Sequence, residues 1–159
     1  MAESKTTRRV AILGGNRIPF ARSDGAYANA SNQDMFTATL DGLADRFDLK
    51  GERLDAVIGG AVLKHSRDFN LTREAVLGSS LSPTTPAYDI TQACGTGLEA
   101  AILVANKIAL GQIESGIAGG ADSASDAPVV VTESLRRKLL RLNRAKTSAD
   151  RVKAALAFR

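Results

Sequence analysis

Several residue types that define whole classes of protein are nearly absent from this 159-residue chain. It contains one cysteine, one histidine and no tryptophan. One cysteine cannot form an internal disulfide, and one cysteine with one histidine cannot supply the four ligands of a structural zinc site. The sequence therefore excludes a disulfide scaffold and a zinc finger, and we predict no metal site. It also indicates a reducing compartment, for which we take the cytoplasm.

Long apolar runs are missing as well. The first apolar run, residues 10–13, is too short for a membrane span or for the core of a signal peptide. Hydrophobic residues make up 44% of the chain and charged residues 24%, which is typical of a folded soluble protein. A chain of this length can bury a substantial core.

Charge is distributed unevenly along the chain. Residues 1–127 carry 12 basic and 15 acidic side chains, whereas residues 128–159 carry 9 basic and only 2 acidic ones. The pattern changes near Pro128 to two basic amphipathic helices. We therefore predict a domain boundary there, with an α/β region at 1–127 and the start of a basic helical subdomain at 128–159.

The basic tail also permits a different function, a binding module for nucleic acid or for a membrane surface. Base stacking on single-stranded nucleic acid uses aromatic side chains, and none lies between Tyr88 and Phe158. We therefore expect no nucleic acid partner, and the membrane surface stays an alternative.

The order of elements indicates an α/β fold with a mostly parallel sheet. Apolar runs closed by glycines or other turn residues predict strands, and apolar residues at helical spacing predict helices between them. The strands are predicted at residues 10–13, 55–63, 88–91 and 116–122, and the helices at residues 31–47, 70–77 and 95–110. Such alternation predicts helices packed over the sheet.

Cys94 lies between the third predicted strand and a largely apolar helix that we predict to be buried. Ligands gather at the carboxyl ends of strands in open parallel sheets, and the N-terminus of a helix favours a thiolate. Gly95 and Gly97 leave room beside the sulfur. The pattern makes Cys94 a candidate nucleophile.

Two other interpretations of this segment compete with that one. Free cysteine is often a buried, inert packing residue. Residues 95–100 also match the Gly-x-Gly-x-x-Ala loop that binds dinucleotides, but no acidic residue closes the following strand where that fold needs one. The local pattern alone leaves the nucleophile and the packing residue open.

Three segments, in order along the chain, resemble motifs of the thiolase family. Residues 94–98, Cys-Gly-Thr-Gly-Leu, resemble the family's Cys-Gly-Ser-Gly-Leu around its acyl-accepting cysteine. Residues 17–20 resemble its Arg-Thr-Pro-Phe, and residues 118–123 its Ala-Gly-Gly-Met-Glu-Ser. Residues 133–146 are similar to the branch with the trifunctional-protein beta subunit and bacterial 3-ketoacyl-CoA thiolases. The resemblance implies a layered α-β-α half-fold, incomplete in this chain.

The resemblance also implies a reaction. Cys94 would accept the acyl group of a 3-ketoacyl-CoA during thiolysis in fatty-acid β-oxidation, or take part in the reverse Claisen condensation. Coenzyme A and acyl-CoA would be substrates, with no permanently bound cofactor. Partners would be further copies in a homodimer or a dimer of dimers, with a hydratase/dehydrogenase subunit as a further candidate.

Groups that a thiolase needs are missing from the sequence. The family uses a histidine in a Gly-His-Pro motif and a second cysteine, whereas the one histidine here is His65, which we expect to be a surface loop residue. The family chain is also more than twice as long. We therefore expect an inactive fragment. A ketoacyl synthase-type condensing enzyme is the alternative within the same fold, since it differs chiefly in groups that this chain does not contain.

Overall fold

The computed structural model describes residues 7–156, which form two compact units that divide between Ala127 and Pro128. The regular elements of the first unit are, in chain order, α1 (Asn32–Phe47), β1 (Ala56–Gly59), a 3₁₀ turn (Ser66–Asp68), α2 (Leu71–Gly78), β2 (Ala87–Asp89), α3 (Thr96–Ala109) and β3 (Gly116–Ala118).

The three strands form one parallel sheet in the order β2-β1-β3. In this register Val57 of β1 lies opposite Ala87 of β2 on one side and Ile117 of β3 on the other. All four residues of β1 are buried, as expected for the middle strand of a sheet covered on both faces. The α/β class and the parallel pairing predicted from the sequence are confirmed.

Helices cover both faces of the sheet. Successive side chains of a strand point to opposite faces, and those of β1 join two different cores. Val57 packs in a cluster with Phe36 and Leu40 of α1 and with side chains of α2. Ala56 and Ile58 belong to a second cluster with side chains of α3. The unit therefore has α-β-α layers.

The long helix α1 begins and ends on local signals. The Ser31 hydroxyl accepts the Asp34 N–H at 3.1 Å, and the Asp34 carboxylate accepts the Ser31 N–H at 2.9 Å, which is a capping box. The Ser31 hydroxyl also donates to the Asp34 carboxylate at 2.7 Å, and this hydrogen bond, together with the one from the Ser31 N–H, holds the pKa of the Asp34 carboxyl below its ordinary value. The helix ends at Asp48, which adopts the left-handed conformation with φ of 54°.

The predicted first strand is wrong. Residues 10–13 pair with no strand, and Ile12 and Leu13 are 92% and 84% exposed. Both sides of β1 are taken by β2 and β3, and the outer edge of β3 faces a cavity of about 1130 Å³ that residues 10–13 also line. An apolar run forms a strand only where a sheet edge is within hydrogen-bonding reach. Here the cavity separates residues 10–13 from the outer edge of β3.

Helix α3 is less buried than its apolar sequence predicts. It buries Thr96, Ala100 and Val104, which lie on one face against the sheet. On the other face Leu98 is 70% exposed and Ile102 is 44% exposed. The expectation of a buried helix is therefore correct for one face only.

The second unit contains two helices, α4 (Glu133–Arg144) and α5 (Ser148–Leu156). Thr132 caps α4, and Glu133 in its first turn forms ion pairs with Arg136 and Arg137, which hold the pKa of the Glu133 carboxyl below its ordinary value. Neither helix has a buried residue among those described. Within residues 7–156, no helix combines the length and apolar character that crossing a bilayer would require.

Candidate functional site

Cys94 lies in a short connection between the sheet and α3. Strand β2 ends at Asp89, the chain then turns through residues 90–93, and Gly95 is the residue that precedes α3. The thiol is exposed and forms no disulfide. The structure therefore places this thiol beyond the carboxyl end of a parallel strand and at the start of a helix.

Four hydrogen bonds close the turn that carries Cys94. The Gly95 N–H donates to the Gln92 carbonyl at 2.9 Å, and the Thr96 N–H donates to the Ala93 carbonyl at 3.2 Å. The Thr96 hydroxyl accepts the Gln92 N–H at 2.9 Å and donates to the Ala93 carbonyl at 2.8 Å. Ala93 has φ of 44°, a conformation that residues other than glycine seldom adopt.

A glycine at the end of β1 allows this turn to approach the sheet closely. A Cβ on Gly60 would lie 2.2 Å from the Ile90 carbonyl oxygen and 3.2 Å from the Thr96 methyl group. A Cβ on Gly120, which follows β3, would in turn lie 2.2 Å from the Gly60 carbonyl oxygen. Around Gly97, by contrast, a Cβ would meet nothing within 4 Å. The ends of the strands are therefore close-packed, while the surface beside Cys94 is open.

An ion pair that the sequence analysis missed lies at the end of β2. The Asp89 carboxylate accepts hydrogen bonds from Lys64 Nζ at 2.7 Å, the Leu71 N–H at 3.0 Å and the Thr72 N–H at 2.7 Å. The Asp89 side chain is only 10% exposed and that of Lys64 is 22% exposed. Asp89 thus ties the start of α2 to the strand that leads to Cys94. The only signal in the sequence is an acidic residue within the short predicted strand 88–91.

His65 lies in a loop, as we expected, but its side chain is only partly exposed. Its Nε2 lies 2.8 Å from the Asp126 carbonyl oxygen and 3.3 Å from the Asp126 carboxylate, and its side chain is 23% exposed. A carbonyl oxygen only accepts, so Nε2 carries the proton in this contact. Arg67 forms an ion pair with the same carboxylate. The one histidine of the chain is therefore engaged with Asp126.

The segment around residues 118–123 has a structural contact of its own. The Asp122 carboxylate accepts the Val62 N–H at 2.9 Å and the Leu63 N–H at 2.9 Å. It therefore fixes the loop after β1 against the chain that follows β3. Within residues 7–156, no group of three or more histidine, cysteine, aspartate or glutamate side chains is placed to hold a metal ion.

A comparison with protein families gives one match, to the family described as "Thiolase, N-terminal domain", over residues 10–157. A 3-ketoacyl-CoA thiolase of Photorhabdus laumondii is 40% identical over 153 residues, covering 95% of this chain and 35% of its own length. A 3-ketoacyl-CoA thiolase of Shewanella denitrificans is 38% identical over 139 residues, covering 87% of this chain and 32% of its own length. The chain thus spans about a third of the length of these curated relatives.

Among solved structures, the Bacillus anthracis acetyl-CoA acetyltransferase superposes with a TM-score of 0.65 at 25% sequence identity. The match covers 74% of this chain and 28% of that protein. The α-β-α arrangement described above is therefore shared with a protein of known structure.

Proposed function

Because this chain belongs to the thiolase family, whose N-terminal domain it matches over residues 10–157, we propose that it carries the acyl-accepting nucleophile of a 3-ketoacyl-CoA thiolase. One observation supports the assignment to Cys94 in particular. It is the only cysteine of the chain, it is exposed, and it lies between the end of β2 and the start of α3. That position leaves the thiol accessible at the edge of the sheet where ligands gather in open parallel folds.

The proposed reaction has two halves. The Cys94 thiolate attacks the keto carbon of a 3-ketoacyl-CoA, the bond between the second and third carbons breaks, and acetyl-CoA leaves as an enolate that takes up a proton. The thiol of free CoA then attacks the acyl-Cys94 thioester, releases the shortened acyl-CoA and returns the cysteine. Covalent catalysis of this type gives ping-pong kinetics. Coenzyme A and acyl-CoA are substrates, and the proposal needs no permanently bound cofactor.

The reaction also needs an acid and a base, and we propose that both lie in parts of the protein outside residues 1–159. His65 is engaged with Asp126, and the sequence contains no second cysteine. Residues 1–127 would form the first part of the N-terminal α/β domain, and residues 128–159 the start of a helical loop subdomain. The cavity of about 1130 Å³ along the outer edge of β3 supports this, since an incomplete sheet leaves such a gap.

The cellular context is part of the proposal. We propose a cytoplasmic enzyme of fatty-acid β-oxidation that works as a homodimer or a dimer of dimers, with a hydratase/dehydrogenase subunit as a candidate partner. The relatives are 3-ketoacyl-CoA thiolases, which supports the reaction class in this proposal.

The test is the reactivity of Cys94 in the 159-residue chain. Cys94 is alkylated with iodoacetamide at pH 7, and the reaction is followed by peptide mapping. Its alkylation rate is compared with that of a synthetic peptide of residues 91–98. We expect the folded chain to react about twofold to fivefold faster, the range that a helix N-terminus gives an exposed negative charge. Equal alkylation rates in the folded chain and in the peptide would contradict the assignment of Cys94 as the nucleophile.

A second measurement tests where the other catalytic groups lie. Thiolysis of acetoacetyl-CoA by the 159-residue chain alone should be undetectable. Turnover by this chain would show that residues 1–159 already contain an acid and a base, contrary to the proposal.

A further inference from the structure

We propose that Thr96 is a positioning residue for Cys94 and that its hydroxyl, rather than its methyl group, performs this role. The inference rests on the proposed function of Cys94 as the nucleophile. It goes beyond that function because it identifies the group that fixes where the cysteine stands relative to α3.

The hydroxyl of Thr96 acts both as a donor and as an acceptor inside the turn. It accepts the Gln92 N–H at 2.9 Å and donates to the Ala93 carbonyl at 2.8 Å. Thr96 is only 5% exposed although Cys94, two residues before it, is exposed. The hydroxyl therefore joins two backbone groups of the residues that precede Cys94.

Ala93 shows why the turn needs such a group. Its φ of 44° lies in the left-handed region, where an alanine is rarely found because its Cβ approaches the backbone. Such a conformation persists only where the surroundings fix it. Two hydrogen bonds end on the Ala93 carbonyl, and both come from Thr96, one from its N–H and one from its hydroxyl. Since Ala93 is bonded directly to Cys94, its conformation sets the direction of the cysteine.

The methyl group of Thr96 does a separate job. It packs against Gly60 at the end of β1, where an added Cβ would lie 3.2 Å from it. A residue that served packing alone would need this methyl group and not the hydroxyl. The two groups of Thr96 can therefore be separated by two conservative substitutions.

The experiment compares Thr96→Val, which keeps the shape and removes the hydroxyl, with Thr96→Ser, which keeps the hydroxyl and removes the methyl group. Iodoacetamide alkylation of Cys94 is measured across a pH series in the parent chain, both variants and the peptide of residues 91–98. Urea unfolding of each chain is recorded in parallel. We expect Thr96→Val to alkylate about twofold to fivefold more slowly at pH 7, with a pH profile moved towards that of the peptide. Thr96→Ser should keep the alkylation rate and the pH profile of the parent chain.

Each outcome bears on the proposal. A Thr96→Val chain that alkylates like the parent, or a Thr96→Ser chain as slow as Thr96→Val, overturns it and leaves the nucleophile assignment standing. A parent chain that reacts like the peptide overturns both. If Thr96→Val does not fold, the proposal is tested with Thr96→Ser, by its alkylation profile and by hydrogen exchange of its Gln92 amide. A profile like that of the parent and a protected amide support the proposal. Loss of either one overturns it.

Discussion

Replacing Gly60 by alanine should destabilise the first unit at the point where the chain after β1 approaches the turn of Cys94. The added Cβ would lie 2.2 Å from the Ile90 carbonyl oxygen, whereas ordinary contacts of such an atom begin at 3.4 Å. The obstacle is a main-chain atom and cannot rotate away as a side chain can. Ile90 itself is held because its N–H donates to the Gly59 carbonyl at 2.8 Å. Relief therefore requires the backbone after β2 to shift.

The size of the effect follows from this geometry. Overpacking with flexible neighbours costs about 1–3 kcal/mol, and a rigid backbone neighbour places Gly60→Ala at the upper end, about 3 kcal/mol. Urea m-values of small proteins are about 1–3 kcal/mol per molar, so the unfolding midpoint should fall by about 1–3 M. For a chain of this size the melting temperature should fall by about 6–12 °C.

The assay is urea unfolding followed by circular dichroism, with Gly97→Ala as the matched control. A Cβ at Gly97 would meet nothing within 4 Å, and the residue lies inside α3, where alanine is favoured over glycine by up to about 1 kcal/mol. Replacement of glycine by alanine should therefore lower the free energy of unfolding at Gly60 and raise it slightly at Gly97. A Gly60→Ala chain as stable as the parent, or two variants with equal losses, would refute the close approach of β1 to the Cys94 turn.

Three further predictions concern the ion pair, the core and the pH dependence. Asp89→Asn should cost about 3 kcal/mol because it leaves Lys64 partly buried without its counter-ion. Asp45→Asn, which breaks the exposed pair with Lys50, should leave the urea midpoint nearly unchanged. Phe36→Ala should cost about 3–5 kcal/mol in the same urea assay, since Phe36 is 2% exposed in the larger core cluster. The N–H groups of Glu114 and Ser115 donate to Asp55 and hold the pKa of its carboxyl below its ordinary value. The stability that the ionised Asp55 carboxyl contributes is therefore present above about pH 4 and is lost as the pH falls through its lowered pKa. Asp55→Asn lacks this contribution at every pH. Its urea midpoint should therefore fall less steeply than that of the parent between about pH 5 and about pH 2.5. Parallel pH profiles for Asp55→Asn and the parent would refute that assignment.

Local signals explain the elements that the sequence predicted correctly. The Ser31 cap and the apolar spacing of α1 act within one helix, and the observed bounds Asn32–Phe47 agree with the predicted residues 31–47. The runs that became β1, β2 and β3 are short and apolar and are followed by glycine or loop residues, so each was recognisable without its partners. The observed strands are shorter than predicted, although main-chain hydrogen bonds continue past their ends, from the Ile90 N–H to the Gly59 carbonyl and from the Ala121 N–H to the Gly60 carbonyl.

Residues 10–13 show where such reasoning fails. Their composition is that of a buried strand, but pairing depends on which edge of the sheet is in reach, and that is decided by residues far away in the sequence. The structure leaves these residues beside a cavity instead. A pattern within one segment carries no information about a partner strand.

The sequence by itself determined the class of the fold, the family and the position of one candidate nucleophile, because these depend on runs of neighbouring residues. Only the tertiary structure decided what surrounds Cys94. The Asp89 ion pair joins residues 25 positions apart, and Gly60 meets the turn across the sheet. The two hydroxyl contacts of Thr96 are local, but they depend on a left-handed Ala93 that no sequence pattern indicates. Contacts of this kind arise only when the strands are packed together, which is why the sequence could identify the cysteine and not its setting.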